Sequence, residues 1–162
     1  MRRLWFAILS ALVLAGLTAS AAFAATSGAH FFSASRSVND AGALVVSWDE
    51  AGLGNQNIDY TLTADATAVY ACINGGSNHP KASNKETVQG QVSGGGSFQA
   101  KNGRVSASLI TGPLSAGSFT CPSGQTLVLA SVSYSNIVLT DTTNNVSITL
   151  ADISRTFLNL GK

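Results

Sequence analysis

The stretch Ile58–Asp65, with the sequence IDYTLTAD, decides the fold class of this chain. Apolar and polar side chains alternate through it, which is typical of a β-strand with one buried face, because successive side chains of a strand point to opposite sides. Ile58, Tyr60, Leu62 and Ala64 are expected to face a core. An amphipathic helix would instead repeat its apolar positions every three or four residues.

Patterns with the same period of two continue outward from this stretch in both directions. They predict further strands over residues 30–38, 43–48, 66–73, 85–92, 104–110, 125–140, 146–150 and 153–160. No window after residue 24 has the 3.6-residue period of a helix, and no linker divides the chain. The sequence therefore predicts an all-β fold, a single-domain antiparallel β-sandwich of about eight or nine strands over residues 25–162.

Three local signals refine this prediction. Asn102-Gly103 between two strands indicates a type I′ turn, because both central residues of that turn need positive φ. The glycine-rich run Ser93–Ser97 predicts a flexible link between strands. The run 125–140 is long for one strand, so a bulge or bend is expected near Ser135-Asn136.

The first 24 residues have the pattern of a secretory signal peptide. Arg2 and Arg3 precede an apolar run that ends on the small-residue pattern Ala22-Phe23-Ala24. The apolar run is short for a bilayer span, so a membrane anchor is the less favoured alternative. We expect cleavage after Ala24, a secreted, extracellular location and no membrane span in the mature chain.

The mature chain has two cysteines, Cys72 and Cys121, and in an exported protein such a pair predicts one disulfide. A zinc site is the weaker alternative, because only His30 and His79 could add nitrogen ligands. The sequence has no CxxC motif, which argues against redox chemistry. In the chain-entropy model, a disulfide closing a loop of roughly 50 residues stabilises the fold by about 4 kcal/mol.

Charge is sparse and nearly balanced. Removal of Arg2 and Arg3 lowers the nine Lys and Arg of the whole chain to seven, against eight Asp and Glu, so the mature net charge is −1. A near-neutral chain without a basic run disfavours nucleic acid and anionic membranes as main partners. The oligomeric state is left open.

Three resemblances can be drawn from short motifs. Tyr70-Ala71-Cys72 resembles the tyrosine and cysteine stretch of an immunoglobulin variable domain, which implies an immunoglobulin-like sandwich, although Trp48 precedes both cysteines here. The signal peptide and Gly103–Leu109 are similar to those of actinobacterial chromophore-binding apoproteins, which typically carry two disulfides. Residues 59–67, 72–76 and 134–142 resemble small exported bacterial all-β proteins of unknown activity. This last likeness implies a fold but no function.

Few residues are placed for catalysis. A hydrolytic triad needs a base, but His30 lies near the mature N-terminus, His79 lies in a glycine-rich loop, and no GxSxG motif occurs. Of the candidate glycosidase carboxylates, Asp59 and Asp65 share a strand face about 20 Å apart, which is too far for a catalytic pair. Trp48 has the strand parity of Val46, so it is expected in the core rather than on a sugar-binding surface. The chain is not expected to be an enzyme.

Two acidic loops could supply oxygen ligands to calcium. Their side chains are Asp49, Glu50, Asn55 and Asn57 in one loop, and Asp141, Asn144 and Asn145 in the other. Neither loop has the spacing of an EF-hand, so turn capping is the favoured role and calcium binding the alternative. No metal or cofactor is expected.

The loop Asn74–Asn84 is the candidate ligand-binding surface, because it is long and rich in glycine and follows Cys72 directly. Its polar side chains suit a glycan better than an apolar ligand: Asn74, Asn78, His79, Lys81 and Asn84. We therefore expect a non-enzymatic extracellular binding or adhesion module for a glycan or a cell-surface protein. A structural or protective extracellular protein is the alternative, and a hydrolase is a distant one.

Overall fold

A computed structural model describes residues 28–74 and 84–160 of the chain, and the predicted signal peptide lies outside these ranges. The described residues form eight strands and contain no helix that could span a membrane. The strands are β1 (His30–Val38), β2 (Leu44–Ala51), β3 (Asn57–Asn74), β4 (Lys85–Gln99), β5 (Arg104–Thr111), β6 (Gln125–Asp141), β7 (Val146–Leu150) and β8 (Ile153–Thr156).

The strands form two antiparallel sheets that pack face to face. The smaller sheet has the order β1-β2-β5, and the larger has the order β4-β3-β6-β7, with β8 paired to β6 beside β7. The predicted all-β sandwich, its strand number and its disulfide are confirmed.

β3 is a central strand of the larger sheet and contains the stretch that decides the fold class. Ile58, Tyr60, Leu62 and Ala64 are at most 2% exposed and lie in the core, as predicted. The alternation continues into the segment predicted as a separate strand, so the two predicted strands form one strand of 18 residues. This length is possible because β4 and β6 pair with β3 on its two sides over nearly all of it.

The prediction of a flexible link at Ser93–Ser97 is wrong, because this run is an uninterrupted part of β4. A Cβ atom on Gly94 would lie 3.0 Å from the carbonyl oxygen of Ile110 in β5, and one on Gly96 would lie 3.3 Å from the Leu109 side chain of β5. These glycines therefore serve a close approach between the edges of the two sheets rather than flexibility.

The bend predicted in β6 is confirmed at Asn136. The pairing of β6 with β3 shifts its register between Thr63 and Asp65, and Asn136 has a φ of 50°. The Asn136 side chain donates a hydrogen bond of 2.7 Å from Nδ2 to Oδ2 of Asp65. Asparagine tolerates the left-handed conformation better than most residues, so its presence in the sequence indicates a bend at this position.

The Asn102-Gly103 turn is also confirmed. Both residues have positive φ, 51° and 72°. The flanking residues Lys101 and Arg104 exchange backbone hydrogen bonds of 2.8 Å and 3.1 Å. The last predicted strand is shorter than expected, because Phe157 and Leu158 both donate to the carbonyl of Ala130 instead of extending the ladder.

The disulfide attaches the segment 112–124, here called the strap, to β3. Cys72 and Cys121 are 5.5 Å apart at Cα. β3 is 18 residues long and β2 only 8, so the smaller sheet covers only part of the larger one. Leu114 of the strap accepts a hydrogen bond from the Tyr70 hydroxyl and packs against the core. The disulfide therefore joins the strap to the larger sheet and does not join the two sheets to each other.

Candidate functional site

Three connections meet at one end of the sandwich, here called the hairpin end. They are the turn 52–56, the hairpin 100–103 and the turn 142–145. Leu53 donates a backbone hydrogen bond of 3.1 Å to Gly103, and Thr142 donates one of 2.8 Å to Asp59. Both acidic loops considered for calcium therefore lie together at this end.

The predicted ligand loop leaves the opposite end of β3. Asn78, His79 and Lys81 lie outside the described residues. Asn74 closes β3, where it pairs with Gln125 of β6. Asn84 contributes to the sheet at the base of the loop: its carbonyl accepts a hydrogen bond from Cys72 N at 3.0 Å, and its side-chain amide donates to Oε1 of Gln125 at 3.3 Å.

A groove of about 540 Å³ lies at the hairpin end, between the edge strands β4 and β5. Its lining combines an aromatic ring, an aliphatic side chain, two cations and two neutral polar side chains: Phe98, Val105, Lys101, Arg104, Gln99 and Ser106. Phe98 packs into the core cluster on its other side, so its position is held by the fold. No acidic side chain of the residues that the structure describes lines the groove.

An exposed phenylalanine lies beside this groove. Phe32 is 72% exposed, whereas the preceding Phe31 packs against the core. The pairing of β1 with β2 shifts register between Phe31 and Ser33, so Phe32 is the extra residue of a β-bulge. Bulges redirect single side chains and are common next to binding sites. Here the bulge lets Phe31 and Ala34 both stay on the core side while Phe32 lies outside.

Arg104 connects the exposed ring to the groove. Its guanidinium lies over the Phe32 ring, 5.6 Å from the centroid, and its side chain also lines the groove. Lys101 is the direct cross-strand partner of Arg104 at the hairpin. Within residues 28–74 and 84–160, neither cation forms a salt bridge. The arrangement can therefore offer positive charge and an aromatic face to a ligand.

A fully buried acidic cluster lies behind the groove. Glu50 and Asp141 are both 0% exposed, and Glu50 is paired in register with Val105 of the groove lining. Tyr60 packs against the Trp48 ring at 4.7 Å between centroids. The Glu50 oxygens, the Tyr60 hydroxyl and Trp48 Nε1 form no regular hydrogen bond with the described chain.

Burial decides the protonation of Glu50 and of the Tyr60 hydroxyl in this cluster. The pKa of Glu50 is raised to about 7, mainly by loss of solvation. The neighbouring Asp141 carboxylate contributes to the rise, whereas the Tyr60 hydroxyl and His30 act to lower the pKa. Desolvation likewise raises the pKa of the Tyr60 hydroxyl, with the Glu50 carboxylate adding to the effect. Glu50 is therefore neutral in mildly acidic solution.

The acidic loops use their side chains within the fold. Asp141 accepts hydrogen bonds from the backbone and side-chain nitrogens of Asn144, at 2.8 Å and 2.6 Å, which is a turn cap. Asp49 accepts a hydrogen bond of 3.1 Å from Ser33. Among the described residues, no three His, Cys, Asp or Glu side chains are grouped closely enough to hold a metal ion.

Sequence reasoning missed the groove residues, although two signals were available. Phe31-Phe32 are consecutive in a strand, so one ring had to point away from the core. Glu50 has the same parity as Leu44, Val46 and Trp48, which places its carboxylate on the buried face. Trp48 itself is 2% exposed, which confirms its predicted place in the core.

Comparison with known proteins returned no relatives. No protein-family model matches the chain, and neither a curated protein nor a solved structure is similar to it at a significant level.

Proposed function

We propose that this chain is a secreted, non-enzymatic binding module that holds an extracellular glycan at the hairpin-end groove. The observation that carries the proposal is an exposed aromatic ring, Phe32, which a bulge places beside Arg104. Arg104 lines the groove together with Lys101, and neither cation forms a salt bridge within the described residues. Phe32 is the most exposed of the large apolar side chains in the described residues, and β-bulges often redirect a side chain next to a binding site.

The chemistry of the groove matches that of a sugar chain. Sugar rings present C–H faces that pack on aromatic rings, and hydroxyl groups that bond to amide, hydroxyl and guanidinium groups. Phe32 offers such a ring, whereas Gln99, Arg104 and Ser106 offer such polar groups. The volume of about 540 Å³ falls in the usual range for ligand sites, roughly 300–1,000 Å³.

Binding is favoured over hydrolysis because the carboxyl groups nearest the groove are buried or hydrogen-bonded within the fold. Glu50 and Asp141 are buried completely, so neither reaches a ligand in the groove. Asp49 is engaged by Ser33 on the outer face of the smaller sheet. Export is supported by the disulfide, which persists in oxidising compartments, together with the signal-peptide pattern of the sequence.

A structural or protective role is the second candidate, and it is favoured by the outer face of the larger sheet. There, neutral hydroxyl side chains occur in register across neighbouring strands. They include Thr61, Thr63 and Thr67 of β3, Ser131, Ser133 and Thr140 of β6, Ser147 and Thr149 of β7, and Ser154 and Thr156 of β8. Such a face keeps a sheet soluble without using it for recognition.

A retention assay on immobilised polysaccharides separates the two candidates. We expect the exported protein to bind at least one glycan of the panel, and Phe32→Ala to weaken that binding about three- to tenfold through loss of ring contact. Ile110→Ala is the matched control, because Ile110 is also exposed on the same sheet but lies at the other end of β5. It should bind like the wild type.

Two results would contradict the proposed function. One is failure of every glycan in the panel to retain the protein, which leaves the structural or protective role. The other is binding to a cell surface that survives periodate oxidation of its sugars, which points to a protein partner instead.

A further inference from the structure

We infer that the ligand of the groove is an anionic glycan, bound through its acidic groups by Arg104 and Lys101. This inference rests on the proposed function and names the chemical class of its ligand. Its basis is that the two cations face the same groove while no acidic side chain of the described chain pairs with either.

The pairing of the two cations costs stability in the free protein. Lys101 and Arg104 are direct partners across the hairpin. Like charges placed directly opposite each other on two strands destabilise the pair, whereas opposite charges stabilise it. An anion bound between them removes this repulsion. The hairpin itself needs no charge at either position, since its turn is specified by Asn102-Gly103.

Three carboxyl groups lie close to the groove in the fold, but none of them neutralises its positive charge. Glu50, behind Val105, is buried and has its pKa raised to about 7, and Asp141 is held by Asn144. Asp49, opposite Ser106, accepts its hydrogen bond from Ser33 on β1. Arg104 and Lys101 therefore remain available to bind an anionic ligand.

Arg104 is also held in a favourable geometry for an oxyanion. Its guanidinium lies over the Phe32 ring and forms no ion pair within the described residues. Stacking on a ring occupies the face of the guanidinium and leaves its N–H donors along the edge free. That edge forms paired hydrogen bonds with carboxylate or sulfate oxygens, which a lysine ammonium cannot match.

Gln99 and Ser106 complete the groove with neutral polar groups. Their amide and hydroxyl can bond to sugar hydroxyls next to the acidic group. A uronic acid polymer and a sulfated polysaccharide share the chemistry that the groove selects, so both are probes of the inference.

The test measures affinity of the exported protein for polygalacturonate, dextran sulfate and neutral dextran. We expect binding to one or both charged polymers, no binding to dextran, and a loss of about tenfold when NaCl rises from about 50 to about 500 mM. Binding only to polygalacturonate identifies carboxylate groups as the ligand, and binding only to dextran sulfate identifies sulfate groups.

Single-residue variants show which side chains are responsible for binding the charged polymers. Arg104→Ala should weaken binding about 10- to 100-fold, the loss expected for charge-assisted hydrogen bonds, and Arg104→Lys should recover only a small part of it. Lys85→Ala is the control, because it removes the same charge from the far end of β4 and should leave affinity unchanged within about twofold. Thermal unfolding of each variant confirms that it is folded.

The outcomes separate this inference from the proposed function. Equal binding to dextran, or a loss of binding in Phe32→Ala with none in Arg104→Ala, overturns the inference and leaves a neutral glycan as ligand. An equal loss in Lys85→Ala and Arg104→Ala shows attraction by overall charge and overturns it too. Failure of all three polymers, and of every other glycan, overturns both.

Discussion

At the scale of single residues, Glu50 is the most unusual side chain of the described chain. Its carboxyl group is fully buried, and its oxygens make no regular hydrogen bond. The titratable groups that face it are Tyr60 from β3, Asp141 from β6 and His30 from β1. A buried carboxyl group of this kind is stable as the neutral acid and costly as the anion.

Glu50 therefore makes stability depend on pH. Its pKa is about 7 in the folded protein and 4.5 as the ordinary value, so the folded state holds the proton more tightly. The resulting stabilisation is fully present below pH 4.5 and is lost as pH rises through 7. We expect the free energy of unfolding to fall by roughly 3 kcal/mol over this window. Urea denaturation at several pH values measures it.

The variant Glu50→Gln tests the origin of this dependence. Glutamine has nearly the same shape and no charge, so the fall in stability between pH 4.5 and 7 should largely disappear. Asp49→Asn is the matched control, because the adjacent carboxylate lies on the outer side of the same strand and accepts a bond from Ser33. If Glu50→Gln keeps the full pH dependence, another group is responsible.

At the scale of elements, the glycines of β4 allow the two sheets to meet at one edge. Gly94 and Gly96 occupy inward positions of β4, paired with Leu62 and Tyr60 of β3. Leu109 and Ile110 of β5 lie against them. A side chain at either glycine would hold the edges apart, so the strand is glycine-rich where the sandwich closes and has Phe98 where the groove opens.

We expect Gly94→Ala to destabilise the fold by about 1–3 kcal/mol, because its Cβ would lie 3.0 Å from backbone oxygen of Ile110. Gly90→Ala is the control in the same strand. Its Cβ would lie 3.6 Å from the Leu114 side chain, an ordinary contact, so the change should be neutral or stabilising by up to about 1 kcal/mol. Equal stabilities of the two variants would contradict the close-approach explanation.

At the scale of the whole molecule, the strap compensates for the unequal sizes of the two sheets. β3 and β6 run past the strands of the smaller sheet, and Leu114 packs against the core there. The strap has no regular strand or helix of its own. Its attachment therefore depends on the Cys72–Cys121 disulfide and on contacts such as the Tyr70 hydrogen bond to Leu114.

Replacement of both Cys72 and Cys121 by alanine should lower the free energy of unfolding by about 2–5 kcal/mol, because the disulfide restricts the unfolded chain. Denaturation of the variant and of the wild type, with and without reductant, measures the loss. Reductant should weaken the wild type and leave the variant unchanged. A variant as stable as the oxidised wild type would show that the strap is held by its packing alone.

Much of the fold could be predicted from the sequence, because its signals are local. Alternation in Ile58–Asp65 identifies a half-buried strand from the order of side chains alone, and Asn102-Gly103 and Asn136 mark positions of positive φ. The flexible link predicted at Ser93–Ser97 was wrong. A glycine run has the same sequence whether it is free in solvent or pressed against Ile110, and only the contact distinguishes the two cases.

The sequence by itself determined the fold class, the disulfide partners and the buried side of β3. The tertiary structure decided the rest: the single long β3, the strap, and the groove that brings Phe32 of β1 to Arg104 of β5. The physical reason is distance along the chain. Strand period and turn propensity act between near neighbours, whereas the groove, the bulge at Phe32 and the proximity of Glu50 to Asp141 depend on which strands are brought together within each sheet and across the two sheets.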